Sequence, residues 1–330
     1  MSKLRGASGR SFSEFELIAR LSKGIRVSRR TILGIGDDCA ILARPRGQTL
    51  FTIDSLVESV HFDLRWGTPE QIGARALTVN LSDIAAMGGR PTACVVNLAV
   101  RDGISASTLD GIYEGLRKAA REASTDIVGG NVTRARELSI TIALLGEIGR
   151  DAMRRDAARP GDEIFVTGTL GDAAIGWRIL AGKIKPPKDR AARKFVVERF
   201  LNPQARLYAG ERLASLQPTP AAIDVSDGLM QDLGHILERS GVGAEIDASR
   251  IPVSAAYRAL MGDNLAHALT GGEDYELIFC VQPGHSEAAL SRRLRIAVHR
   301  IGTIVRGKRL KVIGASAPIA AGWDQLRSRG

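Results

Sequence analysis

The 330-residue chain is poor in cysteine and in aromatic residues, and it lacks any long hydrophobic run. Its three cysteines, Cys39, Cys94 and Cys280, lie far apart without a Cys-x-x-Cys pair, which argues against a disulfide framework and a structural zinc site. Aromatic residues make up 5% of the chain, and the aromatic-and-basic repeat of an RNA-binding sheet is missing. No apolar run approaches the roughly 18 residues of a membrane span. We therefore expect no nucleic-acid partner and no membrane insertion.

The charge is positive but spread out. The formal net charge is +10, and arginines are distributed over residues 150–212 and 292–311. This distribution is typical of a solvated basic surface, on which a minority of arginines is available to a polyphosphate. The basic N-terminal stretch MSKLRGASGRSFSEF has no apolar segment of the kind found in secretory signals. We therefore expect a cytoplasmic location.

Several common signatures of phosphate and metal sites are absent. The sequence has no GxxxxGK[ST] loop, and the stretch GIGDDC fails the GxGxxG pattern at its last glycine. The lysine and catalytic-loop signatures of protein kinases are missing, as are HExxH and the EF-hand spacing. Any phosphate site must therefore depend on metal bridges and glycine turns.

Length and patterning predict two domains, at residues 1–150 and 151–330. The charged stretch RDAMRRDAARPG, residues 150–161, ends in Pro-Gly and is typical of a domain boundary. On both sides of it, apolar strands alternate with amphipathic helices. The predicted fold class is therefore α/β, or α+β, in each domain.

Element ends are predicted from turn and cap residues. The strand TLFTI is expected to end at Asp54, and GGN at residues 129–131 is expected to form a turn. A helix is expected to begin at Pro69 with Thr68 as its cap and to end at Gly88-Gly89. A further helix is expected over about residues 105–124, and the segment KIKPPKDR reads as an exposed connection.

Acidic residues recur beside glycine turns or at the ends of predicted strands. They occur in GIGDDCA, FTIDSLVESVHF, NLSDIAAMG, IDVSDGLMQDL and GGEDYELIF, and the related stretch GGNVTR has an amide in the comparable place. Side chains at strand ends project above a sheet, where ligands of α/β folds commonly bind. Carboxylates gathered there need cations, and an all-oxygen ligand set suits Mg²⁺. Scattered carboxylates with Mg²⁺ indicate phosphate chemistry.

Taken in order, these segments resemble the thiamine-monophosphate kinase family, which belongs to the aminoimidazole-ribonucleotide-synthetase-like superfamily. The resemblance rests on GIGDDCAIL, VNLSDIAAMGGRP, VTGTLGDAA, IDVSDGLMQDLGHI and LTGGEDYELIF and covers nearly the whole chain. It implies a Mg²⁺- and ATP-dependent phosphorylation of thiamine monophosphate to thiamine diphosphate. It also implies that the N-terminal domain, 1–150, binds ATP and Mg²⁺ and pairs in a homodimer. The C-terminal domain, 151–330, would complete the nucleotide and substrate site.

The resemblance also assigns roles, residue by residue, to matching positions. The implied ligands of several Mg²⁺ ions are Asp38, Thr52, Asp54, Asp83, Asn131, Asp224 and Asp227. The implied ATP contacts are Gly130, Asn131, Arg155 and Ser226. The implied substrate contacts are His61, Glu273 and Trp323, where a carboxylate and an aromatic face suit a cationic ligand. No residue is expected to act as a covalent nucleophile.

One departure from the family pattern leaves alternatives open. The family's GGDTT is GGNVT here, so Asn131 stands where a metal-binding aspartate is expected and Val132 replaces a threonine. Asparagine keeps a carbonyl oxygen but loses the charge, so one Mg²⁺ site should be weaker. The alternatives are another ATP-dependent enzyme of the superfamily and a weakened nucleotide-binding paralogue. Selenophosphate synthesis is disfavoured, because the first cysteine is Cys39 inside the GDD motif.

Overall fold

The computed structural model describes residues 14–149 and 151–314 and divides them into two compact units. The first unit holds the described residues up to Ile84 together with Arg90–Gly149, and the second holds Ala85–Gly89 together with the described residues beyond Gly149. The backbone amide of Met153 donates to the carbonyl of Met87 at 3.1 Å, which ties the segment 85–89 to the second unit. Both units mix helices and strands, so the predicted α/β (α+β) class is confirmed.

The first unit is a four-stranded sheet with its helices and a small two-stranded sheet. Its elements are α1 (Glu14–Ser22), β1 (Thr31–Leu33), β2 (Ile41–Leu42), β3 (Gln48–Val57), α2 (Pro69–Ala86), β4 (Arg90–Val100), α3 (Ala106–Glu122), β5 (Asp126–Arg134) and β6 (Ser139–Ile148). The large sheet has the order β3-β6-β4-β5, and only its β4-β5 pair is parallel.

The two faces of this four-stranded sheet differ in burial. Leu144 on β6, paired with Thr52, and Ile142, paired with Asp54, are both fully buried. The alternate residues of β3, Phe51 and Ile53, are 70% and 60% exposed. Successive side chains of a strand point to opposite faces, so Thr52 and Asp54 share the covered face and the exposed apolar residues share the other.

The second unit is a six-stranded sheet with seven helices among its described residues. Its elements are β7 (Glu163–Thr167), α4 (Asp172–Leu180), α5 (Arg190–Leu201), α6 (Leu207–Leu213), β8 (Ala221–Asp224), α7 (Leu229–Ser240), β9 (Gly243–Asp247), α8 (Ala255–Met261), α9 (Ala266–Thr270), β10 (Leu277–Val281), α10 (Glu287–Leu294), β11 (Val298–Val305) and β12 (Leu310–Ile313). The sheet order is β12-β9-β11-β7-β10-β8, with β12-β9 as its parallel pair. Strand β8, at one edge, is buried throughout and ends at Asp224.

Several predicted elements are confirmed. Helix α2 begins at Pro69, and Thr68 and Gln71 cap it reciprocally: the Thr68 amide donates to Gln71 Oε1 at 2.9 Å and the Gln71 amide to Thr68 Oγ1 at 3.3 Å. Helix α3 agrees with the helix expected over about 105–124. The KIKPPKDR segment is largely exposed, as expected. Within the described ranges, no helix is long and apolar enough to cross a bilayer.

Two predicted element ends are wrong. Strand β3 continues past Asp54 to Val57, because β6 pairs with it along its whole length. The GGN stretch is no turn but lies inside β5. A Cβ on Gly130 would lie 2.2 Å from the Val96 carbonyl oxygen of β4, so glycine here allows two strands to approach closely. Trp323 lies outside the described residues.

Candidate active site

In the first unit, strand β3 and helix α2 bring two of the predicted metal ligands into contact. The Thr52 hydroxyl donates to Oδ2 of Asp83 at 2.5 Å, and Asp54 lies two residues further along the same face of β3. All three side chains are partly buried. The arrangement sets two carboxylates and a hydroxyl, all hard oxygen donors, on the covered face of the sheet.

The GDD pair forms an exposed turn ahead of β2. Both Asp37 and Asp38 are exposed, and the Asp38 amide donates to Oδ1 of Asp37 at 2.9 Å. The first carboxylate therefore stabilises the turn through the backbone. The Asp38 carboxylate is left facing solvent, where it is available to a cation.

Gly130 and Asn131 lie side by side on β5 but in different rows of the sheet. Asn131 is paired with Asn97 of β4, and its Nδ2 donates to Asn97 Oδ1 at 2.9 Å. The same row continues to Thr141 and Ser55, whose hydroxyls are 2.7 Å apart. Because Ser55 directly follows Asp54 on β3, the Asn131 side chain lies on the opposite face of the sheet from the Asp54 carboxylate.

His61 follows β3 and is half-buried. The Val57 amide donates to its Nδ1 at 3.1 Å. An accepting Nδ1 means that the neutral ring carries its proton on Nε2. The backbone thus fixes both the orientation and the tautomer of this predicted substrate contact.

In the second unit, the acidic residues surround the turn between β8 and α7. Asp224 is the last residue of β8 and is 4% exposed, while Ser226 and Asp227 are partly exposed in the turn itself. Asp232, one turn into α7, is 2% exposed, and its Oδ2 accepts from the amides of Asp227 and Gly228, each at 3.0 Å. Three carboxylates therefore lie within a few residues of one tight turn.

Burial and crowding raise the pKa values of two of these carboxylates, Asp232 and Asp227. Burial, together with the charges of Asp224 and Asp227, raises the pKa of Asp232 to about 8. Burial, followed by the charge of Glu273, raises the pKa of Asp227 above its usual range. Arg155, in the short 3-10 helix Arg155–Ala157, lies close enough to oppose that rise. The turn therefore concentrates more negative charge than its own cations neutralise.

The GGEDY loop is bound to this turn through the backbone. The Glu273 amide donates to the Ser226 carbonyl at 2.8 Å, and the Tyr275 amide donates to the Val225 carbonyl at 2.9 Å. Both donors adopt left-handed backbone conformations, with φ of +74° for Glu273 and +52° for Tyr275. Such strain in non-glycine residues is concentrated at functional sites. The Tyr275 hydroxyl also donates to Glu273 Oε2 at 2.8 Å, which holds the partly exposed carboxylate in place.

The other two acids of GGEDYE serve the fold. Asp274 is buried, and its carboxylate accepts from the Gly171 amide at 2.7 Å at the start of α4. Glu276 is fully buried and pairs with Arg199 at 2.9 Å and with Arg206 through Nε at 2.7 Å. Only Glu273 of the three is available to a ligand.

The oxygen donors fit Mg²⁺, although neither unit supplies all the ligands of an octahedral ion. Among the described residues, no three side chains of His, Cys, Asp or Glu are grouped so that they could hold a metal ion. Magnesium is commonly bound by one or two carboxylates, with phosphate oxygens and water completing the octahedron. Burial and then mutual repulsion raise the pKa values of Asp227 and Asp232, and a divalent cation would offset the repulsion. Pairs such as Asp54–Asp83 and Asp224–Asp227 therefore suit phosphate-bridged magnesium.

Sequence reasoning overlooked Asp232 and Tyr275. Asp232 lies in the quoted stretch DVSDGLMQD, and an acidic residue in the first turns of a helix is a recognisable signal for a side chain that reaches back to backbone amides. No local pattern predicts the Tyr275–Glu273 hydrogen bond, because it depends on two left-handed residues.

Comparison with known proteins shows the family to which the chain belongs. Residues 36–148 match the family model for the AIR synthase related protein N-terminal domain, and residues 159–315 match the model for the C-terminal domain. The chain is therefore an AIR synthase-related protein. It is 36% identical over 305 residues to thiamine-monophosphate kinase of Bacillus subtilis, covering 91% of this chain and 94% of that protein.

Solved structures narrow the relationship. The crystal structure of thiamine-monophosphate kinase from Stenotrophomonas maltophilia has a TM-score of 0.79 and 38% identity, covering 92% of this chain and 96% of that one. AaThiL complexed with AMPPCP and TMP has a TM-score of 0.74 and 32% identity, covering 94% of this chain and 96% of that one. The chain belongs to the thiamine-monophosphate kinase family.

Proposed function

We propose that this protein transfers the γ-phosphoryl group of ATP to thiamine monophosphate, forming thiamine diphosphate and ADP, with Mg²⁺ as the metal. A terminal phosphate oxygen of thiamine monophosphate attacks the γ-phosphorus, and the bond from that phosphorus to the bridging oxygen of ADP breaks. The attacking oxygen is already ionised at neutral pH, so no strong general base and no covalent enzyme intermediate are required. Magnesium, when bound, would neutralise part of the charge of the two polyanions.

The observation that carries the proposal is the carboxylate cluster at the β8–α7 turn, joined by backbone hydrogen bonds to the Glu273 loop. Asp224 and Asp227 would bind magnesium there, and Arg155 would pair with phosphate oxygens. In the first unit, Asp38, Thr52, Asp54 and Asp83 would bind magnesium. Ser226 and Gly130 would contact the nucleotide.

The thiamine end of the substrate is cationic, and Glu273 is held ready for it. Its carboxylate, fixed by the Tyr275 hydroxyl, would face the ring system. His61, oriented by the Val57 amide at its Nδ1, is proposed as a substrate contact from the sequence. Trp323 is proposed as the aromatic contact from the sequence alone. The cytoplasmic location likewise stays a prediction from the sequence.

Phosphorus NMR tests the reaction directly. Protein, ATP, Mg²⁺ and thiamine monophosphate are expected to give the two resonances of a pyrophosphoryl ester together with those of ADP. Free phosphate with ADP, and no new ester resonance, would contradict the proposed acceptor.

A second candidate, a nucleotide-binding paralogue with little turnover, is favoured by one observation. Asn131 replaces the family aspartate, and its side chain is engaged with Asn97. Titration with AMPPCP separates the two candidates: tight binding of the analogue without any thiamine diphosphate formation would support the paralogue.

We also propose a homodimer formed through the exposed face of the first unit's sheet. Phe51 is 70% exposed, Ile53 is 60% exposed, and Val95, in the same row as Ile53 through Ala143, is 41% exposed. A continuous apolar surface of this kind is typical of a subunit interface. Sedimentation of Phe51→Glu/Ile53→Glu should give a monomer. Phe195→Glu, at an exposed apolar residue of the second unit, should sediment as the unaltered protein.

A further inference from the structure

The turn that carries Asp227 is defined by two features besides its own sequence. Gly228 has a φ of +117°, and a Cβ at this position would lie 2.8 Å from the Thr270 carbonyl carbon. Only glycine fits this conformation and this space. The second feature is the carboxylate of Asp232, which accepts from the amides of Asp227 and Gly228 through a single oxygen, Oδ2.

Asp232 is enclosed by the protein. The residue is 2% exposed, and its Oδ2 is engaged by the two turn amides, so this oxygen serves the backbone of the turn. Asp227, by contrast, is partly exposed, and its Oδ2 lies 3.3 Å from Gln231 Nε2, a long and weak contact. The direction in which the Asp227 carboxylate leaves the turn is therefore set mainly by the backbone, and the backbone is held by Asp232.

We propose that Asp232 is a positioning residue, whose Oδ2 fixes the Asp227–Gly228 amides and thereby places the Asp227 carboxylate for magnesium-bound nucleotide. This inference rests on the proposed function, because it takes Asp227 as a metal ligand. Groups that orient a metal ligand typically change metal affinity by about 10- to 100-fold when they are removed.

The test compares variants that keep or remove the accepting oxygen. Asp232→Asn retains one oxygen of similar reach, and Asp232→Leu removes the acceptor while roughly filling its volume. Asp162→Asn is the matched control, because Asp162 is also buried in the second unit and its Oδ2 accepts one backbone amide, that of Arg159, at 2.8 Å. Each variant is measured well below its melting temperature.

The first readout is binding of Mn²⁺, as a magnesium surrogate, by electron paramagnetic resonance in the presence of AMPPCP. We expect Asp232→Leu to weaken Mn²⁺ binding at least about tenfold, and Asp232→Asn and Asp162→Asn to stay within about threefold of the unaltered protein. The second readout is kinetic. The KM for MgATP should rise in Asp232→Leu, while the KM for thiamine monophosphate should not change.

A merely structural role would give a different pattern. It would lower the melting temperature and the active fraction of Asp232→Leu and leave Mn²⁺ affinity and both KM values of the folded fraction unchanged. That result would overturn the proposal. Equal loss of Mn²⁺ binding in Asp232→Asn and Asp232→Leu would also overturn it, because the charge rather than the accepting oxygen would then be required.

Two further outcomes are distinguishable. If Asp232→Leu does not fold, Asp232→Glu replaces it, because this variant keeps the charge but displaces the oxygen by one methylene. Weaker Mn²⁺ binding in Asp232→Glu than in Asp232→Asn supports the positioning role. Stronger Mn²⁺ binding in Asp232→Glu than in Asp232→Asn refutes it. If the unaltered protein makes no thiamine diphosphate, the proposed function fails. The Mn²⁺ and AMPPCP comparison still decides the role of Asp232.

Discussion

The predicted metal ligands of the first unit are exposed or partly buried, whereas two carboxylates at the β8–α7 turn of the second unit are enclosed. Asp38 is exposed on a turn, and Asp54 and Asp83 are partly buried, but Asp224 and Asp232 are 4% and 2% exposed. Water screens charges in the first setting, and little screening is available in the second. Both units thus present oxygen ligands for a cation. In the first unit they cost little stability, whereas in the second unit the enclosed carboxylates repel one another strongly.

The largest expected effect is the loss of activity on removing an enclosed carboxylate. Asp224→Ala should lower kcat/KM by about 10²- to 10³-fold, because charge stabilisation in a water-poor site is the strongest kind. Asp38→Ala, at an exposed carboxylate, should lower it less. Coupled measurement of ADP release checks both, with Asp247→Ala, at the partly buried cap of a 3-10 turn, as the control. Equal losses in the two variants would remove the contrast between the units.

The second prediction concerns stability without metal. The folded-state pKa of Asp232 is raised to about 8 from an ordinary value of 3.8, so its stabilising contribution is complete below pH 4 and is lost as the pH rises to about 8. The free energy of unfolding should therefore fall across this window, with a slope of at most about 1.4 kcal/mol per pH unit from this group. Urea unfolding at several pH values in chelator measures the slope.

Asp232→Asn is the control for that slope. Because the amide does not titrate, the variant should lose the part of the pH dependence that comes from residue 232, and the raised pKa values of Asp172 and Asp274 should leave a remainder. Identical pH profiles for the variant and the unaltered protein would show that Asp232 titrates normally.

A smaller effect on stability and on magnesium dependence is expected at Thr52 in the first unit. Thr52→Val removes the donor to Asp83 and should cost about 1 kcal/mol of stability. It should also raise the magnesium concentration for half-maximal activity, measured by titration. Thr49→Val, at an exposed residue of the same strand, is the matched control and should change neither quantity.

The smallest effect is expected at Asn131. Its side chain lies on the face of Asn97, so Asn131→Asp should change the magnesium dependence by less than about threefold. A tenfold improvement in magnesium affinity would instead show that residue 131 ligates metal in the working enzyme.

Sequence patterns predicted those features that depend on local chemistry. The Thr68 cap and the start of α2 at Pro69 follow from residues within one turn of each other. The sequence patterns gave wrong predictions where pairing with a strand distant in the sequence determines the local structure. The register with β6 extends β3 beyond Asp54, and the close approach to β4 keeps the two glycines of GGN in a strand.

The same distinction holds for the candidate site. The residue types of the acidic segments indicated magnesium and phosphate, because oxygen donors near glycine turns are informative in themselves. Their differing burial could not be predicted. The enclosure of Asp232 and the assignment of Glu276 to an internal ion pair depend on which helices and strands pack around them.

The left-handed backbone of Glu273 also limits how this family member can diverge. At a φ of +74°, glycine, asparagine and aspartate are tolerated best, and β-branched residues are strongly disfavoured. A shift toward a ligand of different charge or size would have to pass through that narrow set of replacements, or first remodel the loop. Selectivity at this position is therefore constrained by the peptide chain before any contact with the ligand is made.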